Sequence, residues 1–206
     1  RPLGGLVRIA ATPSLADLYL VPRLAALAQR HPAIDVEIVS ERRLASLARP
    51  EADIALRLGA PKDAEVIARR LATLAFGFYG TADWRGRIAA GAAPVFVGFD
   101  EANAHLPEAA FLARHFPRAR LAVRANTQST QAIAARAGHG IALLPRFIAA
   151  GEDALVSVPL APLPPTRDLF LLTNRLSADD GAVRAVRDFL AELFHADIML
   201  FSGLDD

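Results

Sequence analysis

The stretch Leu6 to Pro32, LVRIAATPSLADLYLVPRLAALAQRHP, constrains the fold more than any other part of the chain. It opens with an apolar run, Leu6 to Ala11, of the length of one buried strand. Thr12-Pro13-Ser14 interrupts that run. From Ser14 the apolar residues Leu15, Leu18, Tyr19, Leu20, Leu24 and Leu27 take up helical spacing. Ser14 followed by Asp17 reads as an N-cap with an acid in the first turn. Pro22 removes a backbone donor and is expected to kink or restart the helix. A strand thus feeds directly into a helix N-terminus, the place where open α/β sheets bind ligands.

The same alternation continues. Ile34 to Val39 is rich in β-branched residues and predicts a second strand, Arg42 to Arg49 a short helix, and Ala52 to Leu58 a third strand closed by Gly59-Ala60-Pro61. Strand, helix, strand, helix, strand is the rhythm of a parallel, doubly wound sheet. Val66 to Leu74 and Phe76 to Tyr79 form a long extended stretch, after which the rhythm restarts. Helices are predicted over Trp84 to Ala90, Pro107 to Phe116 and Thr127 to Ala137, and strands over Val95 to Phe99, Leu121 to Ala125 and Ile141 to Leu144. Leu155 to Val158 and Asp168 to Thr173 are further strands, and Asp180 to Phe194 is an amphipathic helix. From His195 onward no period is visible.

Two similar α/β halves emerge. The last helix has no mate in the second half and is expected to return to the first sheet. The chain would cross between lobes near Ala72–Thr73 and near Thr173–Asn174, giving lobe I as 1–72 with 174–206 and lobe II as 73–173. Two lobes joined by two extended strands make a hinged clamshell with its ligand between them.

Composition narrows the function. A net charge of +1, with Lys62 the only lysine, gives no electrostatic case for nucleic-acid or membrane binding by this chain. The absence of cysteine removes disulfides, thiolate nucleophiles and Cys-type zinc sites. No GxSxG, HExxH, P-loop or GxGxxG follows a strand, and His31, His105, His115, His139 and His195 lack the spacing of metal ligands. Neither a cofactor, a metal nor an enzymatic activity is expected. Arg118, Arg120 and Arg124 read as a solvated sheet edge, and Gly138-His139-Gly140 as a helix exit.

The positive signal is a pair of strand-to-helix openings, Thr12-Pro13-Ser14 and Asn126-Thr127-Gln128-Ser129. Each sets short polar side chains among unpaired backbone N–H groups, an arrangement that favours an anion or carboxylate. Arg57, at the end of the third strand, lies on the same rim and can pair with a carboxylate. Helix ends supply only about 0.3–1 kcal/mol each, whereas micromolar binding needs roughly 8 kcal/mol. Apolar enclosure must supply much of the rest, with Phe76, Phe78, Phe99 and Phe147 as candidate walls.

These landmarks, together with EADIALRLG, ARRLATLAFGFYGTADW, AGHGIALLP and RDLFLLTNR in that order, resemble the effector-binding (regulatory) domain of LysR-type transcriptional regulators. The resemblance covers Gly5 to about Phe194. It implies an α/β fold of two Rossmann-like lobes joined by two crossover strands, periplasmic-binding-protein-like, and a small-molecule effector, with contacts at Thr12, Pro13 and Ser14 in one lobe and Asn126, Thr127 and Gln128 in the other. Residues near Gly98–Asp100 and after Pro145, including Phe147, are secondary candidates. It also implies an antiparallel homodimer, the first helix of one subunit lying near the Gln128–Ala137 helix of the other, and tetramers of the full-length form. DNA is then reached only through an N-terminal winged helix-turn-helix, and the expected compartment is the cytoplasm. A periplasmic solute-binding protein is the first alternative, and a small α/β enzyme the second.

Overall fold

The structure is a computed structural model and describes residues 3–40, 52–61 and 66–203. The chain divides into two compact units, Arg1–Leu74 with Arg167–Asp206, and Ala75–Thr166.

In the first unit, β1 (Gly4–Ala11) pairs in parallel with β2 (Ala33–Ser40) and β3 (Ile54–Leu58). Two long strands, β4 (Val66–Leu74) and β10 (Arg167–Asn174), complete a sheet of order β2-β1-β3-β10-β4. β10 runs antiparallel to both β3 and β4, so the sheet is mixed and not the purely parallel one that the sequence rhythm suggests. The reason is topological: β10 returns from the far end of the chain without a crossover helix to turn it around. Because β10 belongs to this sheet, the unit boundaries fall at Leu74/Ala75 and Thr166/Arg167. The expected crossing at Thr173–Asn174 lies instead at the opposite end of the same strand.

Helix formation after β1 begins with α1 (Pro13–Leu15) and passes through a π-helical segment, Ala16–Leu20, into α2 (Val21–Arg30). The N-cap is Thr12, not Ser14, which is buried within the first turn. Pro13 occupies the first helical position, where its missing N–H costs nothing. Pro22 does not end the helix. The preceding segment widens to a π turn, with the Val21 N–H donating to the Ala16 carbonyl, and α2 continues beyond it.

α7 (Gly181–Ala196), capped by Asp180, packs on β1 and β4. The tail is ordered where no period was visible: α8 (Ile198–Ser202) lies against β4. Its Phe201 is fully buried, stacked on Phe194 at 5.1 Å and edge-on to Tyr19 at 4.8 Å. One aromatic carries that packing, and one residue has no period. The predicted helix Arg42 to Arg49 lies outside the described residues.

The second unit contains β5 (Phe76–Gly80), α3 (Ala82–Ala89), β6 (Val95–Gly98), α4 (Pro107–His115), β7 (Arg120–Arg124), α5 (Gln128–Arg136), β8 (Ile141–Pro145), α6 (Arg146–Ala150) and β9 (Val156–Ser157). Its sheet has the order β7-β6-β8-β5-β9, parallel across β7-β6-β8 and antiparallel where β5 meets β8 and β9. β7 is an edge strand with Arg120 and Arg124 exposed at its ends, in line with a solvated edge. Gly138, at φ +91°, closes α5 and leads to Gly140, where a Cβ would come within 2.6 Å of the Val95 carbonyl oxygen. Only glycine fits a backbone approach that close. α6, directly after Pro145, was not anticipated: a five-residue helix is too short to show a period.

Candidate functional site

In the first unit the candidate residues gather at the carboxyl edge of β1 and β3. Thr12 follows β1 directly, is exposed, and its side chain accepts no capping hydrogen bond. Its carbonyl accepts the Ala16 N–H at 3.0 Å, while Pro13 is half-buried and Ser14 buried. Ile9 lies beside Ile54 and Ala10 beside Ala55. Arg57, near the carboxyl end of β3, pairs with Phe170 on β10. Arg57 is half-buried, and burial lowers its pKa below the ordinary value, a shift that leaves an arginine charged.

The second unit repeats the arrangement at the carboxyl edge of β6, β7 and β8. Gly98 ends β6, and its carbonyl accepts the Ala125 N–H at 2.9 Å as the chain leaves β7. Asn126 is exposed, and Thr127 is the N-cap of α5. Thr127 Oγ1 accepts the Thr130 N–H at 3.2 Å and bonds the Thr130 hydroxyl at 2.9 Å. Thr127 therefore does cap its helix, as a hydroxyl at that position should. Gln131 Nε2 donates to the Ala125 carbonyl at 3.0 Å and fixes the turn from below.

Gln128 differs from its neighbours. Its Nε2 is buried and has no hydrogen-bond partner among the described residues. A buried amide donor without an acceptor costs about 1–3 kcal/mol, so it calls for an explanation. Phe99 and Phe147, the latter on α6, are both buried close to this edge. Phe78 belongs to the core, its ring 5.9 Å from that of Phe96 and 5.7 Å from that of Phe116, and Phe76 pairs with Pro145 on β8.

Each unit thus brings its own predicted polar residues to one sheet edge, while Phe78 stays in the core. Sequence reasoning missed the orphaned Gln128 amide, because satisfaction of a donor depends on packing and has no local signature. Among the described residues no cluster of His, Asp and Glu could hold a metal ion, and no helix is long and apolar enough to cross a membrane.

Residues 1–195 match the family model of the LysR substrate binding domain. The chain belongs to that family. Among its relatives, the Mau operon transcriptional activator of Paracoccus denitrificans is 26% identical over 197 residues, covering 94% of this chain and 66% of that protein. The LysR-type domain here therefore spans just under two thirds of that relative's length. The fold is shared with the LysR-type regulator CrgA of Neisseria meningitidis (TM-score 0.77, 22% identity, 93% of this chain and 69% of that one). It is also shared with the effector domain of AmpR from Pseudomonas aeruginosa (TM-score 0.73, 19% identity, 95% and 97%). The two-unit α/β architecture with mixed sheets is thus that of LysR regulatory domains, and α8 lies beyond the matched residues.

Proposed function

We propose that this chain is the small-molecule-sensing module of a LysR-type transcriptional regulator, and that it binds its effector without making or breaking a bond. The observation that carries this reading is the family match over residues 1–195. The two strand-to-helix openings support it. Thr12, Pro13 and Ser14 open the helical run with two hydroxyls, and Arg57 adds a cation, a set suited to a carboxylate. Asn126, Thr127 and Gln128 supply further donors, with Gly98, Phe99 and Phe147 as apolar contacts. An effector carbonyl or carboxylate that accepts from Gln128 Nε2 would satisfy the orphaned amide on binding.

In this reading the regulator works in the cytoplasm as a homodimer, tetrameric at full length, and reaches DNA through a separate N-terminal domain. The exposed Leu18 and Val21 on the first helical run and Ile133 on α5 suit such a contact between copies. Effector binding shifts the population of subunit arrangements that position the DNA-binding parts.

Thermal unfolding against a panel of organic acids, aromatics and sugars tests the proposal. A true effector at 100 times its Kd adds about 2.7 kcal/mol. Ser14→Trp, which fills the first opening, removes that gain. If no compound shifts the transition, and a full-length regulator carrying Ser14→Trp keeps its response, the sensing site lies elsewhere.

A further inference from the structure

The second unit holds a cavity of about 540 Å³ bounded by β6, β7 and α4, well within the range of small-molecule pockets. Part of its wall is apolar. Phe96 and Leu121 come from adjacent strands, Leu112 from α4 and Phe116 from the residue after it. The Phe96 and Phe116 rings lie edge to face at 5.0 Å, which locks the deep end. At Gly98 the wall is closely packed, since a Cβ there would sit 3.0 Å from Leu121 Cδ2 and 3.8 Å from Leu112 Cδ1.

The mouth carries charge of both signs. Arg124 ends β7, while Asp100 and Glu101 follow β6. Among the described residues no ion pair joins Arg124 to either acid, and Asp100 accepts a hydrogen bond from Asn103 Nδ2. A cation and two carboxylates over an aromatic pocket complement a ligand with both charges at one end and an apolar body. A simple carboxylate would meet two like charges, and a simple amine would meet the guanidinium.

We propose that this cavity binds a small zwitterion with an apolar side chain, of the class of an apolar α-amino acid. The carboxylate lies on Arg124, the ammonium on Asp100 and Glu101, and the side chain against Phe96, Leu112 and Phe116. The cavity shares Gly98 and Phe99 with the proposed effector surface and takes nothing from α5, α6 or the first unit, so the two readings fail separately.

The test is an NMR titration of the 206-residue chain, ¹⁵N-labelled, with L-phenylalanine, phenylacetate, phenethylamine and benzyl alcohol, each to about 10 mM, above the ~1 mM Kd of a marginal site. L-phenylalanine is expected to shift the Gly98, Leu112 and Leu121 amides with a Kd about tenfold below those of the three analogues, the step that one well-placed charge contact is worth. Arg124→Gln should raise that Kd to the level of phenethylamine, Ala109→Trp should fill the cavity and abolish the shifts, and Gln128→Leu should leave them intact. The proposal is overturned if no probe shifts those amides, if any analogue binds as tightly as L-phenylalanine, or if Arg124→Gln leaves the Kd unchanged.

Discussion

Tyr19 and Asp197, separated by 178 positions in the chain, share a hydrogen bond of 2.9 Å from the phenol to the carboxylate. Arg23 joins the same carboxylate at 3.2 Å and lies over the Tyr19 ring at 4.1 Å. The junction between α7 and α8 is thereby tied to the π-helical turn that precedes Pro22. Tyr19→Phe removes one hydrogen bond and leaves the ion pair, so a loss of about 1–2 kcal/mol is expected in urea unfolding. A double-mutant cycle with Asp197→Ala should show coupling of at least about 0.5 kcal/mol. Additivity of the two changes would count against the tie.

The same tyrosine makes the alkaline limit of stability readable. Burial first, and then the Asp197 hydrogen bond, raises the Tyr19 phenol well above its ordinary value. Its folded pKa therefore exceeds the unfolded one, about 10. The resulting stabilisation is complete below that pH and is lost as pH rises through it toward the folded value. Tyr79, raised by burial with Arg146 opposing, adds a second contribution of the same sign. Denaturation midpoints measured from about pH 8 to 11 should fall at the alkaline end, less steeply in Tyr19→Phe. An identical slope in the variant would remove Tyr19 from the account.

Phe201→Ala should cost about 3–5 kcal/mol, the range for deleting a fully buried aromatic. Near-wild-type stability would mean that α8 is an ornament and not part of the first unit's core.

The two helix openings differ in what their threonines do, and that difference is measurable. Thr127→Ala removes a capping acceptor and should destabilise by about 1 kcal/mol. Thr12→Ala removes a side chain that caps nothing and should change stability by less than about 0.5 kcal/mol. If both are effector contacts, both weaken the ligand-induced thermal shift. A stability loss at Thr12 equal to that at Thr127 would contradict the geometry.

Gln128→Leu offers a sharper separation. It deletes a buried donor that has no acceptor, so stability should be unchanged or higher by up to about 1 kcal/mol. The effector-induced shift should shrink. Lower stability with an undiminished effector response would show that the amide has a structural partner.

What the sequence made legible follows from what is local. The β1-to-helix opening, the Thr127 opening, the Gly138 exit and the α7 period were all visible, because strand runs, caps and helical spacing are written within a few residues. The direction of β10 was not: RDLFLLTN reads as a strand, but which neighbours it pairs with, and in which sense, is fixed by the return path of the chain. Ser14 was mistaken for the cap because Pro13 can sit inside the first turn, moving the boundary back to Thr12. The tail escaped notice because Phe201 acts through Phe194 and Tyr19, all distant in sequence. Of the candidate site, the places of the two strand-to-helix openings were legible and the orphaned amide was not.

Leu74 and Arg167 are register partners on β4 and β10, and the whole second unit hangs between them. Its entrance and exit are thus neighbouring strands about 5 Å apart, the spacing a two-residue hairpin bridges. The second unit is inserted cargo in an otherwise continuous host, and a protein engineer could excise Ala75 to Thr166, join the strands with Asn-Gly, and keep the host.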